Sequence, residues 1–249
     1  MPAADPSRFD LPGDGPAAVL CLHGLTGTPY EVRPLGEALS RQGLRAVGPV
    51  LPGHNATPEQ LARTRHTDWL DAASGELRAL RARHERVCVL GLSMGALLSL
   101  VLASEHPVAG VVSIAAPLRL RHPIMRLIPV LKVVLPMWKK RGGPDIRDDA
   151  ARARHPGYDR MPLRSVHELQ RLQQRVRAGL SDITAPILVA HGARDRTANP
   201  ADAEVIHASV SSSERELCVF EESAHVLPVD VDGPRLAEAV CKFVGRHAR

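Results

Sequence analysis

Residues Arg86 to Pro107 read RVCVLGLSMGALLSLVLASEHP: an apolar run, then Gly91-Leu92-Ser93-Met94-Gly95, then a second apolar run. The pattern is that of a strand, a sharp turn carrying a serine, and a helix. A serine at such a turn must hold a strained backbone that only small neighbours permit, which accounts for a glycine two residues to either side. The turn lifts the hydroxyl. The helix opening at Met94 directs its free N–H groups and positive dipole end toward the place where charge would develop on a reacting carbonyl oxygen. GxSxG alone is a weak signal, but at a β-to-α junction it marks Ser93 as a candidate nucleophile.

Outward from this unit the chain alternates short apolar runs with helical patterns. Strands are expected at Ala17 to His23, Leu44 to Val50, Arg86 to Gly91, Gly110 to Ala115, Ala185 to His191 and Glu216 to Glu221. Most are continuous apolar runs and not alternating ones, as in strands covered by helices on both faces, so the fold class is α/β with a mostly parallel, doubly wound sheet. Helices are expected at Pro29 to Gln42, His66 to Arg83, Met94 to Glu105, Ala201 to Val210 and Gly233 to Arg246, the last opened by Asp232-Gly233-Pro234. From Pro117 to about Ile183 the rhythm breaks, because a crossover between parallel strands needs only about a dozen residues. That interval predicts a cap, about 118–180, inserted into one domain spanning 1–249. It holds the apolar stretch Pro123 to Trp138, interrupted by Pro129 and Pro136, then a polar stretch, then a helix from Pro162 to Ala178. The apolar stretch is expected to pack over the sheet, with Leu127, Ile128, Val130, Leu131, Val133, Val134 and Leu135 as candidates to line an acyl pocket.

Composition narrows the function classes. Of 249 residues 44% are hydrophobic and 24% charged, which excludes disorder and collagen-like repetition. No apolar run reaches the roughly 18 residues of a membrane span, and MPAADPSRFDLPGDGP lacks the regions of a secretory signal, so a soluble cytoplasmic protein is expected. Cys21, Cys88, Cys218 and Cys241 lie far apart in apolar runs without CxxC or CxxH spacing; they read as core residues, and no metal is expected. The net charge of +5 is local: Leu118 to Ser181 holds 15 Lys and Arg against 5 Asp and Glu, and the rest holds 17 against 22. Seven aromatic residues are too few for base-stacking platforms, so no nucleic-acid partner is expected. The basic segment is either a solvated arginine-rich face or an attraction to anionic lipid surfaces or acidic acyl substrates.

A serine hydroxyl needs a general base, itself oriented by a carboxylate. Of 12 histidines, His225 in EESAHVLPVD is the best placed, in a loop between the last strand and the last helix. Asp195 in HGARDRTANP follows the strand PILVAHG at its C-terminal end, where catalytic groups collect in open parallel sheets; it is preferred over Glu222, which reads as the end of a strand or a solvent-facing residue. The order Ser93, Asp195, His225 is the chain order of the α/β-hydrolase triad. After the first strong strand, His23-Gly24-Leu25-Thr26-Gly27-Thr28-Pro29 offers a glycine-freed loop, and the backbone N–H groups of Leu25 and Met94 are assigned to an oxyanion hole. His23 reads as a turn-stabilising residue and not a base.

Together HGLTGTP, LPGH at Leu51 to His54, the Asp68-Trp69 pair, GLSMG, the Asp195 loop and SAHV resemble the small bacterial carboxylesterase and monoacylglycerol lipase family of α/β-hydrolases, from about Ala17 to Phe243. The resemblance implies that fold with a small cap after the strand that is sixth in its standard count. It also implies a serine esterase acting on short-to-medium acyl esters or monoacylglycerols, without metal or organic cofactor. Motif by motif it carries Ser93 over as nucleophile, Asp195 as orienter, His225 as base, and Leu25 with Met94 as oxyanion donors. The chain departs from the family pattern where Leu25 replaces the usual phenylalanine after HG and where Asn55 follows LPGH. The cap aligns poorly, so a cap carboxylate for a glycerol group is open between Asp148 and Asp149. A thioesterase, acyltransferase or carbon–carbon hydrolase would use the same triad, whereas dehalogenases and epoxide hydrolases of this fold use an aspartate nucleophile. A non-catalytic binding protein of the fold is the reading from another class.

Overall fold

The computed structural model describes residues 4–120, 127–139 and 142–248. In chain order, β1 (Phe9–Leu11) and β2 (Ala17–Leu22) are followed by a 3₁₀ turn at Pro29–Glu31, α1 (Arg33–Ser40), β3 (Arg45–Gly48), α2 (Pro58–Leu61) and α3 (His66–Arg81). Next come β4 (Arg86–Leu92), α4 (Met94–Glu105) and β5 (Gly110–Ile114). The insertion contributes α5 (Ile128–Val134), β6 (Met137–Lys139), α6 (Asp149–Arg154), β7 (Arg160–Pro162) and α7 (Leu163–Gly179). The chain closes with β8 (Ile187–Gly192), α8 (Ala201–Ser209), β9 (Arg215–Phe220) and α9 (Gly233–His247).

Seven strands form one sheet in the order β1-β3-β2-β4-β5-β8-β9, parallel except where β1 pairs antiparallel with β3. Continuous apolar strands are explained by two cores. Ala18, Leu20 and Leu22 of β2 face α3, α4 and α7, while Ala17, Val19 and Cys21 face α1 and α9. Cys21, Cys88 and Cys241 are free thiols buried in the second core, and burial pushes Cys21 and Cys88 up to about 12. Strand order reverses between β2 and β4, where Leu22, the last residue of β2, pairs with Gly91, the last but one of β4. The loops leaving these two strands start side by side, which is where open α/β sheets place their sites.

The cap differs from expectation at its apolar stretch, whose residues 123–126 lie outside the described residues, as does His122. Ile128 and Leu131 pack on Leu163, Val166, Leu120 and Met161. Leu127, Val130, Val133 and Val134 instead face solvent at 57–74% exposure. A helix of seven residues, with proline at its start and after its end, has one face to bury, and the other is left outward.

Two cap arginines bridge to the body, Arg175 to Glu105 of α4 and Arg160 to Glu59 of α2, and Arg196 of the body pairs with Asp145 of the cap. The excess of positive charge in the insertion is thus partly met by carboxylates elsewhere in the fold. Two carboxylates grip the cap backbone more firmly. Asp202 accepts from the Leu118 amide at 2.8 Å, and Asp230 from the Arg147 and Asp148 amides at 2.9 Å each.

Candidate active site

Ser93 sits between β4 and α4 with φ 56° and ψ −113°, in the left-handed region that costs a non-glycine residue about 1–3 kcal/mol. Packing holds it there. Its N–H donates to Ile114 O at 2.8 Å, and a Cβ on Gly95 would lie 2.1 Å from Leu22 O, so α4 approaches β2 at a distance only glycine allows. The Ser93 Oγ is 2.9 Å from His225 Nε2, and His225 Nδ1 is 2.7 Å from Asp195 Oδ2. The structure therefore brings the three residues into one hydrogen-bonded chain across loops that follow β4, β8 and β9. Glu222 points away from it, paired with Arg194 at the surface.

Asp195 is enclosed by donors. Its Oδ1 accepts from the amides of Thr197 and Ala198 at 2.7 Å each, and its Oδ2 also faces His191 Nε2 at 2.9 Å. Burial by itself would raise its pKa, but the charge and hydrogen bonds of His225 and His191 outweigh that and hold it well below the usual carboxylate range. For His225 burial acts downward and is outweighed by the Asp195 charge and hydrogen bond, so its net shift is upward. An imidazole whose Nδ1–H is fixed on a carboxylate presents the lone pair of Nε2 to the serine hydroxyl, the arrangement needed for a base.

His191 was not singled out by sequence reasoning as more than the end of a strand. Its placement four residues before Asp195, on the strand that delivers that residue, is the only signal the chain carries for it. Asp145 and Asp230 were missed for the same reason: they act by fixing the loops that bear the triad. Asp145 accepts from Arg196 N and Thr197 Oγ1, and its carbonyl accepts from Val226 N. Asp230 Oδ2 accepts from Ala224 N. The turns on either side of Asp195 and His225 are thereby tied to one cap segment.

Facing the serine, Gly24 to Gly27 form a turn closed by Gly27 N–H to Gly24 O, with Thr26 at φ 63°. A Cβ at Gly24 would be 3.5 Å from that of Ser93, so the turn lies against the serine. The Leu25 amide donates to no acceptor among the described residues. Met94 is the first residue of α4, a position whose N–H has no partner within the helix. His23 is buried behind the turn, with Nδ1 on Gly24 O at 3.0 Å and Nε2 accepting from the Leu51 amide at 3.1 Å. Burial lowers its pKa, as suits an imidazole whose two nitrogens are both committed to backbone.

A cleft of about 500 Å³ beside the triad loops is lined by Arg147, Arg152, Arg194 and Arg196 with Ile146 and Ala224. Three of these guanidinium groups already face carboxylates, Asp149, Glu222 and Asp145.

Comparison with known proteins gives the family. Residues 14–232 match the family described as serine aminopeptidase, S33. The chain belongs to this family. It is 33% identical over 236 residues to a thermostable monoacylglycerol lipase of Bacillus sp. (strain H-257), covering 94% of this chain and 93% of that protein. It is 28% identical to a carboxylesterase of Bacillus subtilis (strain 168), covering 98% of both. The solved structure of a metagenome-derived lipolytic enzyme, from work on LipS and LipT, superposes with a TM-score of 0.92 at 27% identity and covers 99% of both chains. The sheet is that of the α/β-hydrolase fold, and the serine elbow and histidine loop occupy the part of the chain that the S33 match spans.

Proposed function

We propose that this protein hydrolyses carboxylic esters, short-to-medium acyl esters or monoacylglycerols, through an acyl-enzyme on Ser93. The observation that carries the reading is the Asp195–His225–Ser93 chain with spacings of 2.7 and 2.9 Å. His225 Nε2 takes the hydroxyl proton as Oγ attacks the ester carbonyl. The resulting oxyanion is held by the Leu25 and Met94 amides, and the alcohol leaves with the proton returned by His225. Water, deprotonated by the same imidazole, then cleaves the acyl-enzyme and releases the acid. Asp195 fixes the imidazole and stabilises its charged form throughout. The likeness to proteins named monoacylglycerol lipase and carboxylesterase supports an ester over an amide or a thioester.

The chain is read here as one hydrolase domain carrying a cap at about 118–180, acting in the cytoplasm. No helix among the described residues is long and apolar enough to cross a membrane. The outward apolar face of α5, with Lys132 on the same helix and Lys139 just beyond it, supports transient contact with anionic lipid surfaces.

The test is hydrolysis of p-nitrophenyl esters from acetate to palmitate beside 1-monoacylglycerols, with Ser93→Ala and with fluorophosphonate labelling. The expected result is a maximum at one acyl length, activity and label both lost in the variant. No hydrolysis of any ester by a labelled enzyme would move the reading to a thioesterase or acyltransferase, and absence of label as well would move it to a binding role.

A further inference from the structure

Beneath the Gly24–Gly27 turn lies a carboxylate with no part in the proton relay. Glu31, on the 3₁₀ turn before α1, is buried, with its side chain 5% exposed. Its Oε2 accepts from the Gly24 amide at 2.9 Å. A Cβ at Gly27 would lie 2.2 Å from the same oxygen, so the carboxylate fills the inside of the turn. Its Oε1 meets His155 Nε2 at 2.8 Å, across 124 residues of sequence. His155 belongs to the cap and is 6% exposed at its side chain. The Gly157 amide donates to His155 Nδ1 at 3.1 Å, which leaves Nε2 to carry the proton and donate it to Glu31. Burial acts to raise the Glu31 pKa, but the His155 hydrogen bond and the Gly24 amide outweigh it, so the carboxylate is held in its charged form.

The same cap segment touches the turn and its neighbour by backbone. Tyr158 N–H donates to Thr26 O at 3.1 Å, and the Tyr158 hydroxyl donates to Gly53 O at 3.2 Å while accepting from the Ala56 amide at 2.8 Å. The turn is therefore clamped by a carboxylate inside it and by the cap loop at Tyr158 outside it. Leu25, at its crest, is the residue whose orientation this fixes.

We propose that Glu31 and His155 form a positioning pair that aims the Leu25 amide at the substrate oxyanion, so that the seated cap sets the geometry of the oxyanion hole. The inference rests on the ester-hydrolase reading above. Neither residue touches the reacting atoms, and the pair acts through the turn. Removal of an oxyanion donor costs roughly 10²–10³ in rate, and a displaced donor should cost less, about 10- to 100-fold.

The test compares His155→Leu, which deletes the donor, with His155→Gln, whose amide nitrogen reaches the place of Nε2. Steady-state constants on a p-nitrophenyl ester are measured together with the Ki of an alkyl trifluoromethyl ketone, whose tetrahedral adduct carries an oxyanion. His155→Leu should lower kcat by about 10- to 100-fold with KM within about twofold, and weaken the ketone by the same factor as kcat/KM. His155→Gln should recover to within about threefold of wild type. Glu31→Gln, which keeps an acceptor for the Gly24 amide, should be milder than Glu31→Ala. The proposal is overturned if His155→Leu keeps its kcat, if its loss tracks only the folded fraction by circular dichroism, if only KM moves, or if His155→Gln shows no recovery. A wild-type enzyme without Ser93-dependent ester hydrolysis would instead remove the reading on which the proposal stands, and the two failures are thus distinct.

Discussion

At Asp195 two imidazole nitrogens, two amide dipoles and deep burial meet on one carboxylate. Because this carboxylate raises the His225 pKa, its charge sets where the acid limb of the rate profile falls. In the proposed mechanism His225 must be neutral to act, so activity should decline as pH falls through a value above the ordinary histidine pKa of about 6.5. Asp195→Asn removes the charge while keeping the shape. It should lower kcat on the order of 10⁴-fold, and the residual activity should show its acid limb at lower pH. A pH series of kcat/KM on both proteins checks this; a limb that stays in place would mean that another group sets it. Ser93, Asp195 and His225 were legible in the sequence because each stands in a short motif after a strand. Glu31, His155 and His191 were not, since what gives them meaning is a partner across space. For Glu31 and His155, nothing local in PYEVRP or RARHPGY announces the other.

Among elements, legibility followed burial. All six expected strands are present; β2, β4, β5 and β8 are covered on both faces and show no polar side to confuse the pattern, while the edge strand β9 keeps exposed Arg215, Glu216 and Val219. The three-residue strands β1, β6 and β7, and the one-turn helix α2, were not anticipated; segments so short carry no periodicity. The apolar stretch of the cap was legible as apolar but not in its direction. Helix α5 turns Val130, Val133 and Val134 outward beside Trp138, itself 39% exposed, which is a face suited to a lipid interface. Val130→Glu together with Val133→Glu should leave hydrolysis of a water-soluble short-chain ester within about twofold, since neither side chain is buried. The same variant should lose sedimentation with anionic phosphatidylglycerol vesicles, which for wild type should weaken as salt rises. Equal sedimentation of wild type and variant would show that α5 is not the contact.

For the whole molecule, the buried histidines that do no chemistry set the response to acid. His54 donates from Nδ1 to Pro52 O at 3.1 Å, its Nε2 has no partner among the described residues, and its ring meets His23 edge-on at 4.8 Å. Burial first, then the nearby His23, push its pKa down to about 3, and burial lowers that of His23 too. Between pH 6.5 and 3 the unfolded chain therefore binds protons at His54 that the folded chain refuses. Since stability rises with pH wherever the unfolded state holds more protons, it must fall as pH drops through this window. Each pH unit at one fully shifted site is worth about 1.4 kcal/mol, less where the unfolded histidine is only half protonated, so lowering pH from 6.5 to 4.5 should remove on the order of 2 kcal/mol through His54 alone. That is a large share of the roughly 5–15 kcal/mol typical of a folded domain. His225 acts with the opposite sign: its raised pKa adds stability below 6.5 that is lost as pH rises through its folded value, so it offsets part of the decline. Asp195, with its lowered pKa, contributes stability above about 4 and loses it only at more acid pH, below the 6.5 to 4.5 interval considered for His54. His54→Asn, whose side-chain amide can still reach Pro52 O, should start less stable at pH 7 because it leaves a small void beside Trp69. Its urea midpoint should nevertheless fall less steeply between pH 6.5 and 4.5 than that of wild type, the slope differing by up to one proton. Urea titrations of both proteins at several pH values in that range measure the difference, and parallel lines would mean that His54 takes up its proton in the folded state as readily as in the unfolded chain.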